Sequence, residues 1–287
     1  MGQAKRRRAE IERLKRLSPQ QAAVWRQEQE DEISLRGGID PKATITDPSA
    51  VIAMARRLLD KFEQAKVSQS VDDAVRYLYQ KIDATIHGFG EIRIACGQGC
   101  SHCCVISVTV SAPEALYVAR LVAAMGADAT ERVRAAHEVT RQFDLVERDQ
   151  HPHDCPMLQD NSCTIYESRP KACRQAASTD ADICRRSHRS LSGEDIPSPG
   201  VYVGSRTAYA IALHAALAQL AFDNSAYEFN AAIVRVLDTP DAEQRWLAGE
   251  DIFAGVPREP PTPRVYADRI DFVRREAFGG QAPAAKG

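Results

Sequence analysis

Residues 96–104 read CGQGCSHCC, placing Cys96, Cys100, Cys103 and Cys104 in one short stretch. Gly97 and Gly99 allow a backbone turn tight enough to aim Cys96 and Cys100 at one point, and Cys103 follows after a two-residue gap. Cys103 and Cys104 are adjacent, and neighbouring side chains on an extended backbone point apart, so the pair is not expected to serve one ion together. The stretch therefore reads as half of a site. The other half, about fifty residues later, is CPMLQDNSCTIYESRPKACRQAASTDADIC at 155–184, which carries Cys155, Cys163, Cys173 and Cys184 and completes the chain's 8 cysteines. Buried structural cysteines belong on apolar helix faces. These instead gather in two windows of Gly, Pro, Ser, Asn and Asp, as metal ligands do. Such a set of thiolates suits two four-cysteine zinc sites, one polynuclear site, or a single [4Fe–4S] cluster with spare cysteines.

Outside these windows the pattern is helical. Residues 47–67 carry Asp47 as N-cap, Pro48 in the first turn and an apolar face of Val51, Ile52, Ala55, Leu58, Leu59 and Phe62. In 70–86, Ser70 and Asp73 resemble a capping box ahead of the stripe Val75, Leu78, Tyr79, Ile82 and Ile86. After an extended piece, VISVTV, further helices are expected at 111–125, opened by Ser111 and Pro113, and at 129–146, opened by Thr130 ahead of Glu131. Three more are expected at 204–222, at 226–237, and at 239–249 behind Thr239 and Pro240. The expectation is a mainly α fold in three parts: a charged arm and linker at 1–45, a helical cysteine-cluster domain at 46–255, and an irregular Pro- and Gly-broken tail at 256–287.

The formal net charge of −2 makes no case for nucleic acid over the whole chain. The exception is AKRRRAEIERLKRL near the start, where Lys5, Arg6, Arg7, Arg8, Arg13, Lys15 and Arg16 form an arm for RNA contact through residues 5–16 or a solvated tail. No apolar run follows these basics as in a secretory signal, Arg6 stands where a myristoylation motif wants Ser or Thr, and no apolar stretch is long enough for a membrane span. The expected location is the reducing cytoplasm, which disfavours disulfides. His102, His151 and His153 lie in the cysteine windows as alternative ligands or bystanders. Arg169, Arg174, Arg185 and Arg186 are placed to offset thiolate charge or to pair with acids such as Glu167, and Tyr166 reads as a packed aromatic.

Nucleotide-loop, zinc-protease and serine-hydrolase motifs are absent, and a catalytic Cys103 beside His102 would need a geometry that adjacency does not supply. The spacing Cys96-x-x-x-Cys100-x-x-Cys103 is shared with radical S-adenosylmethionine enzymes. Here, however, His102 stands where those carry an aromatic, and the flanking segments are helical rather than strands of a β/α barrel.

CGQGCSHCC followed by CPMLQDNSCTIYESRPKACR resembles the YkgJ-type CxxCxxCC cysteine-cluster family, with one departure: the first gap holds three residues instead of two, so Cys96 is the least secure ligand. The resemblance implies chelation of zinc or iron. The similar cysteine motif of the flagellin lysine methylases implies that an Fe–S cluster, and with it a transferase or redox activity, is open to this chain. Whether the chain catalyses a reaction is not set by these residues.

Overall fold

A computed structural model of the chain describes residues 48–89, 92–260 and 264–279. The basic arm, the linker and Asp47 lie outside the described residues. The apolar stripe that begins at Val51 forms α1 (Pro48–Ser68), burying Val51, Ala55, Leu58, Phe62 and Ala65. The next stripe forms α2 (Asp72–Gly88), with Leu78, Tyr79, Ile82 and Ile86 buried. Its cap differs from expectation, because Val71 holds the N-cap position and the Ser70 hydroxyl accepts from the Asp72 N–H at 3.3 Å instead of closing a box with Asp73.

After the first cysteine window come β1 (Thr109–Ser111) and, directly, α3 (Ala112–Ala124). Ser111 and Pro113 open α3 as the sequence predicts, and Glu114 accepts from the Ser111 N–H at 3.1 Å. Helix α4 (Ala127–Thr140) starts earlier than Thr130, because Gly126 at φ 98° turns the chain into it; the Thr130 hydroxyl bonds back to the Gly126 carbonyl at 3.3 Å inside the helix. The one-turn α5 (Leu145–Arg148) is capped by Asp144.

The second window holds the hairpin β2 (Leu158–Gln159) and β3 (Ser162–Cys163), then the short helices α6 (Lys171–Arg174) and α7 (Ala181–Cys184). The hairpin turns on Asp160 and Asn161, at φ 49° and 59°, the left-handed pair that a two-residue turn matching strand twist requires. Beyond it, α8 (Gly200–Gln219) buries Tyr209, Ile211, Leu213 and Leu217 among others and packs on α1 and α2. The segment from Ala226 is not helical throughout: β4 (Ala226–Glu228) pairs antiparallel with β1, Val110 opposite Tyr227, before α9 (Phe229–Asp238) begins. Glu228 caps α9 by accepting from the Ala231 N–H at 2.6 Å. Thr239 does not cap the following helix. Its hydroxyl donates to the Arg235 carbonyl at 2.6 Å, closing α9, and α10 (Ala242–Leu247) starts behind Asp241.

The tail corrects the expectation of irregular structure. Arg264–Phe278 is a helix, α11, that buries Ile270 and Val273 and lies on α1 and α8. Its stripe at 266, 270, 273 and 277 has helical spacing, and the run of prolines ahead of it ends at Pro263. One helical layer thus joins α1, α2, α8 and α11, and a second joins α3, α4 and α9. Trp246 on α10 meets Phe62 edge-on at 6.5 Å and Phe222 at 4.3 Å. Each fully buried Leu or Phe in this core contributes about 1.5–3 kcal/mol. Among the described residues no helix is long and apolar enough to cross a membrane.

Candidate metal centre

The first cysteine window is a chain of turns. Cys100 N–H bonds to the Gly97 carbonyl at 3.0 Å, Cys104 N–H to Ser101 at 3.1 Å and Ile106 N–H to Cys103 at 3.3 Å, with Gly99 at φ 91°. The premise that held Cys103 and Cys104 apart, an extended backbone, therefore does not apply, and both residues reach the space between the two windows. The second window is tied to the first by backbone. Cys155 N–H bonds to the Cys104 carbonyl at 2.7 Å, His153 N–H to Val105 at 3.2 Å, and Ala95 N–H to Ser178 at 2.8 Å. Arg148, only 4% exposed, adds its guanidinium to the same join, donating to the carbonyls of Val105 at 3.2 Å, His153 at 3.0 Å, and His151.

Between the windows lies a cavity of about 140 Å³ lined by Cys96, Cys100, Cys103, Cys104, Cys155, Cys163 and Cys173. Ile94, Val108, Met157, Tyr202 and Phe229 make its apolar wall. The eighth cysteine, Cys184, is buried at the end of α7 and is not part of this lining. All are free thiols. Among the described residues no three Cys, His, Asp or Glu side chains are already gathered as ligands of one ion. The sulfurs ring the space, and a tetrahedral zinc would draw four of them to about 3.8 Å from one another.

Burial pushes up the thiols of Cys96, to about 11, and Cys155, to about 12, and also those of Cys163, Cys173 and Cys184. Cys103 is raised first by its hydrogen bond with Cys104, then by burial. In each case the neutral thiol is favoured until a cation arrives, so metal uptake expels protons.

The arginines separate by role. Arg174, 4% exposed, pairs with Asp83, donates to the Glu167 carbonyl and lies over the Tyr79 ring at 4.6 Å. Arg185 pairs with Asp182 at 3.5 Å, and Arg186 grips Glu194 through two bonds of 2.7 and 2.8 Å. Arg174 and Arg169 both line the cavity, and the charge that acts on the thiols is that of Arg169. Its guanidinium lies 3.9 Å from the Tyr166 ring centre, lines the cavity and lowers the thiol pKa of Cys103, Cys163 and Cys173. No bond to Glu167 holds it; its Nη1 donates to the Tyr166 carbonyl at 2.9 Å. Tyr166, expected to be packed, provides that platform. The histidines stand off the cavity wall: His151 stacks on Phe143 at 4.0 Å, His153 is fixed through its backbone, and His102 keeps a buried Nδ1 near His188.

Sequence reasoning missed three residues that build the site. Ser178 donates its N–H to the Cys96 sulfur at 3.2 Å, Arg148 joins the windows, and Glu114 accepts from the Lys171 N–H at 2.7 Å, fixing the turn that carries Cys173. Only Arg148, a lone cation in a buried turn just before HPHDC, left a local trace.

The donor set fits a soft or borderline metal. It offers thiols with no carboxylate on the cavity wall, as zinc, iron or an iron–sulfur cluster takes them and as magnesium or calcium does not. Fold and site together define a mainly helical protein built around a thiol-rich centre. Residues 95–190, a third of the chain and the span of all its cysteines, match the CxxCxxCC family model, described as "Putative zinc- or iron-chelating domain". Neither the curated proteins nor the solved structures gave a match.

Proposed function

We propose that the cavity is a thiolate centre that takes zinc or iron, the latter as ions or as an iron–sulfur cluster, in a protein of the reducing cytoplasm. One observation carries the reading: thiols from two segments about fifty residues apart line a single space with no acid among them. Zinc there supplies a fixed cross-link, and an iron–sulfur cluster supplies electron exchange. The chain's own residues do the rest. Cysteines ligate, Ser178 orients Cys96, Arg169 offsets thiolate charge, and the wall of Ile94, Met157, Tyr202 and Phe229 limits water. Elemental analysis with a visible spectrum on protein purified without air tests this. Stoichiometric zinc or iron is expected, and the absence of both overturns it.

A second reading, a cluster-assisted methyl or redox transferase, is favoured by the apolar wall and Arg169, which leave lined space beside the thiols. It requires the metal-loaded protein to bind S-adenosylmethionine or a redox partner. Calorimetry with S-adenosylmethionine that shows no heat removes the methyl-transfer form.

A further inference from the structure

Arg169 is a cation in the cavity wall without a counter-ion. Among the described residues no carboxylate pairs with it, and of its guanidinium nitrogens Nη1 alone is bonded, to the Tyr166 carbonyl at 2.9 Å. The Tyr166 ring backs it at 3.9 Å, and no sulfur accepts a hydrogen bond from it, so the edge formed by Nε and Nη2 keeps its donors. Arg174 on the same wall differs, because Asp83 takes its Nη1 and the Glu167 carbonyl its Nη2. A guanidinium with an open edge thus stands in the wall of a space that no acid lines.

That space is larger than a metal ion needs. Its 140 Å³ is on the order of ten times the volume that one water takes on the same measure. Part of its wall comes from elements that carry no cysteine: Val108 ahead of β1, Tyr202 on α8 and Phe229 on α9. The Phe229 N–H bonds to the Val108 carbonyl at 3.0 Å, and Tyr202 and Phe229 are packed into the core, so this side stays in place when sulfurs close on a metal. On the hairpin side Met157 and Ile165, both buried, carry the apolar lining up to Tyr166 and Arg169, and the Thr164 N–H bond to the Met157 carbonyl at 2.8 Å holds them together. Water fills such a surface poorly, and a hydrocarbon body fills it well.

We infer that the cavity takes, beside its metal, a small monocarboxylate with a hydrocarbon body: the carboxylate sits on Nε and Nη2 of Arg169, and the body lies against Val108, Met157, Ile165, Tyr202 and Phe229. The inference rests on the reading of the cavity as a metal centre and names a ligand for the room left beside the metal. A planar carboxylate matches the two parallel N–H donors of a guanidinium edge. A doubly charged phosphate would exceed the one unpaired cation and bury the surplus charge. Gly97 and Gly99 line the cavity and are also exposed, which places its mouth at their turn.

The test is calorimetric titration of the reduced full chain, saturated with zinc without air, with the metal content of each variant measured and circular dichroism as the check on folding. The probes are acetate, butyrate and hexanoate, with hexanol as the uncharged counterpart. Affinity in the wild type is expected to rise about fourfold for each methylene buried. Arg169→Gln is expected to weaken hexanoate about ten- to hundredfold and to leave hexanol unchanged, and Arg169→Lys to recover part of the loss. Hexanoate held no tighter than acetate by the wild type overturns the inference, as does a folded Arg169→Gln protein that loses hexanoate and hexanol alike. The same titration on the metal-free chain separates the two readings. Zinc bound in full with no hexanoate overturns the ligand pocket and leaves the metal centre standing, whereas hexanoate bound by a chain that takes neither zinc nor iron overturns the metal centre and leaves the pocket.

Discussion

At Glu114, 1% exposed, a single carboxylate accepts from the Ser111 N–H and hydroxyl at 3.1 and 2.8 Å, the Tyr79 hydroxyl at 3.2 Å and the Lys171 N–H at 2.7 Å. It therefore fastens the start of α3, the middle of α2 and the turn of Cys173 at one point. Glu114→Gln turns an amide N–H₂ toward two of these donors, and leaving buried donors unpaired costs about 2–3 kcal/mol, to be read in urea unfolding. Bound zinc or iron should fall with it. Arg169→Gln should weaken metal binding about tenfold, because the nearby cation eases ionisation of Cys103, Cys163 and Cys173. Its loading curve should shift to higher pH, and Arg169→Lys should restore part of the shift. The cysteines themselves were legible in the sequence because they gather in two polar, Gly- and Pro-containing windows outside the long apolar stripes, although Cys173 and Cys184 lie on the short helices α6 and α7. Glu114 was not, since its role depends on Tyr79 and Lys171 arriving from distant elements.

Among the elements, those with long apolar stripes, such as α1 and α2, could be read directly from residue spacing. The starts of α4 and α9 could not. A left-handed Gly126 and the pairing of β4 with β1 decide them, and both are tertiary choices that override local propensity. Helix α11 was obscured by the prolines ahead of it and the glycines behind it. Its C-terminal end is held by Arg56, whose guanidinium donates to the carbonyls of Ala277 and Glu276, each at 2.8 Å. Arg56→Ala should loosen the last turn by about 0.5–1 kcal/mol. Faster amide exchange confined to α11 is the expected signature, and unchanged exchange there would show that the cap contributes nothing.

For the molecule as a whole, acid sensitivity should have an identifiable source on α8. Burial, with Lys171 nearby, lowers His214 to about 4. The unfolded chain then takes up a proton near pH 6.5 that the folded chain refuses until about 4, so stability present above 6.5 is lost as pH falls through that window. The loss is on the order of 2–3 kcal/mol. His214→Gln should flatten the acid limb of stability measured by urea unfolding between pH 6.5 and 4.

The clasp formed by Arg148 and the backbone bonds from Cys155 and His153 is made of protein alone. Chelator treatment should therefore lower the melting temperature yet leave the helical circular dichroism intact, unlike zinc fingers, which unfold on losing their ion. Folding would then come first and loading second. The tempo of metal entry would be set by thiol deprotonation and passage through the wall, and a chain stripped of its cargo could be refilled from a donor without being remade.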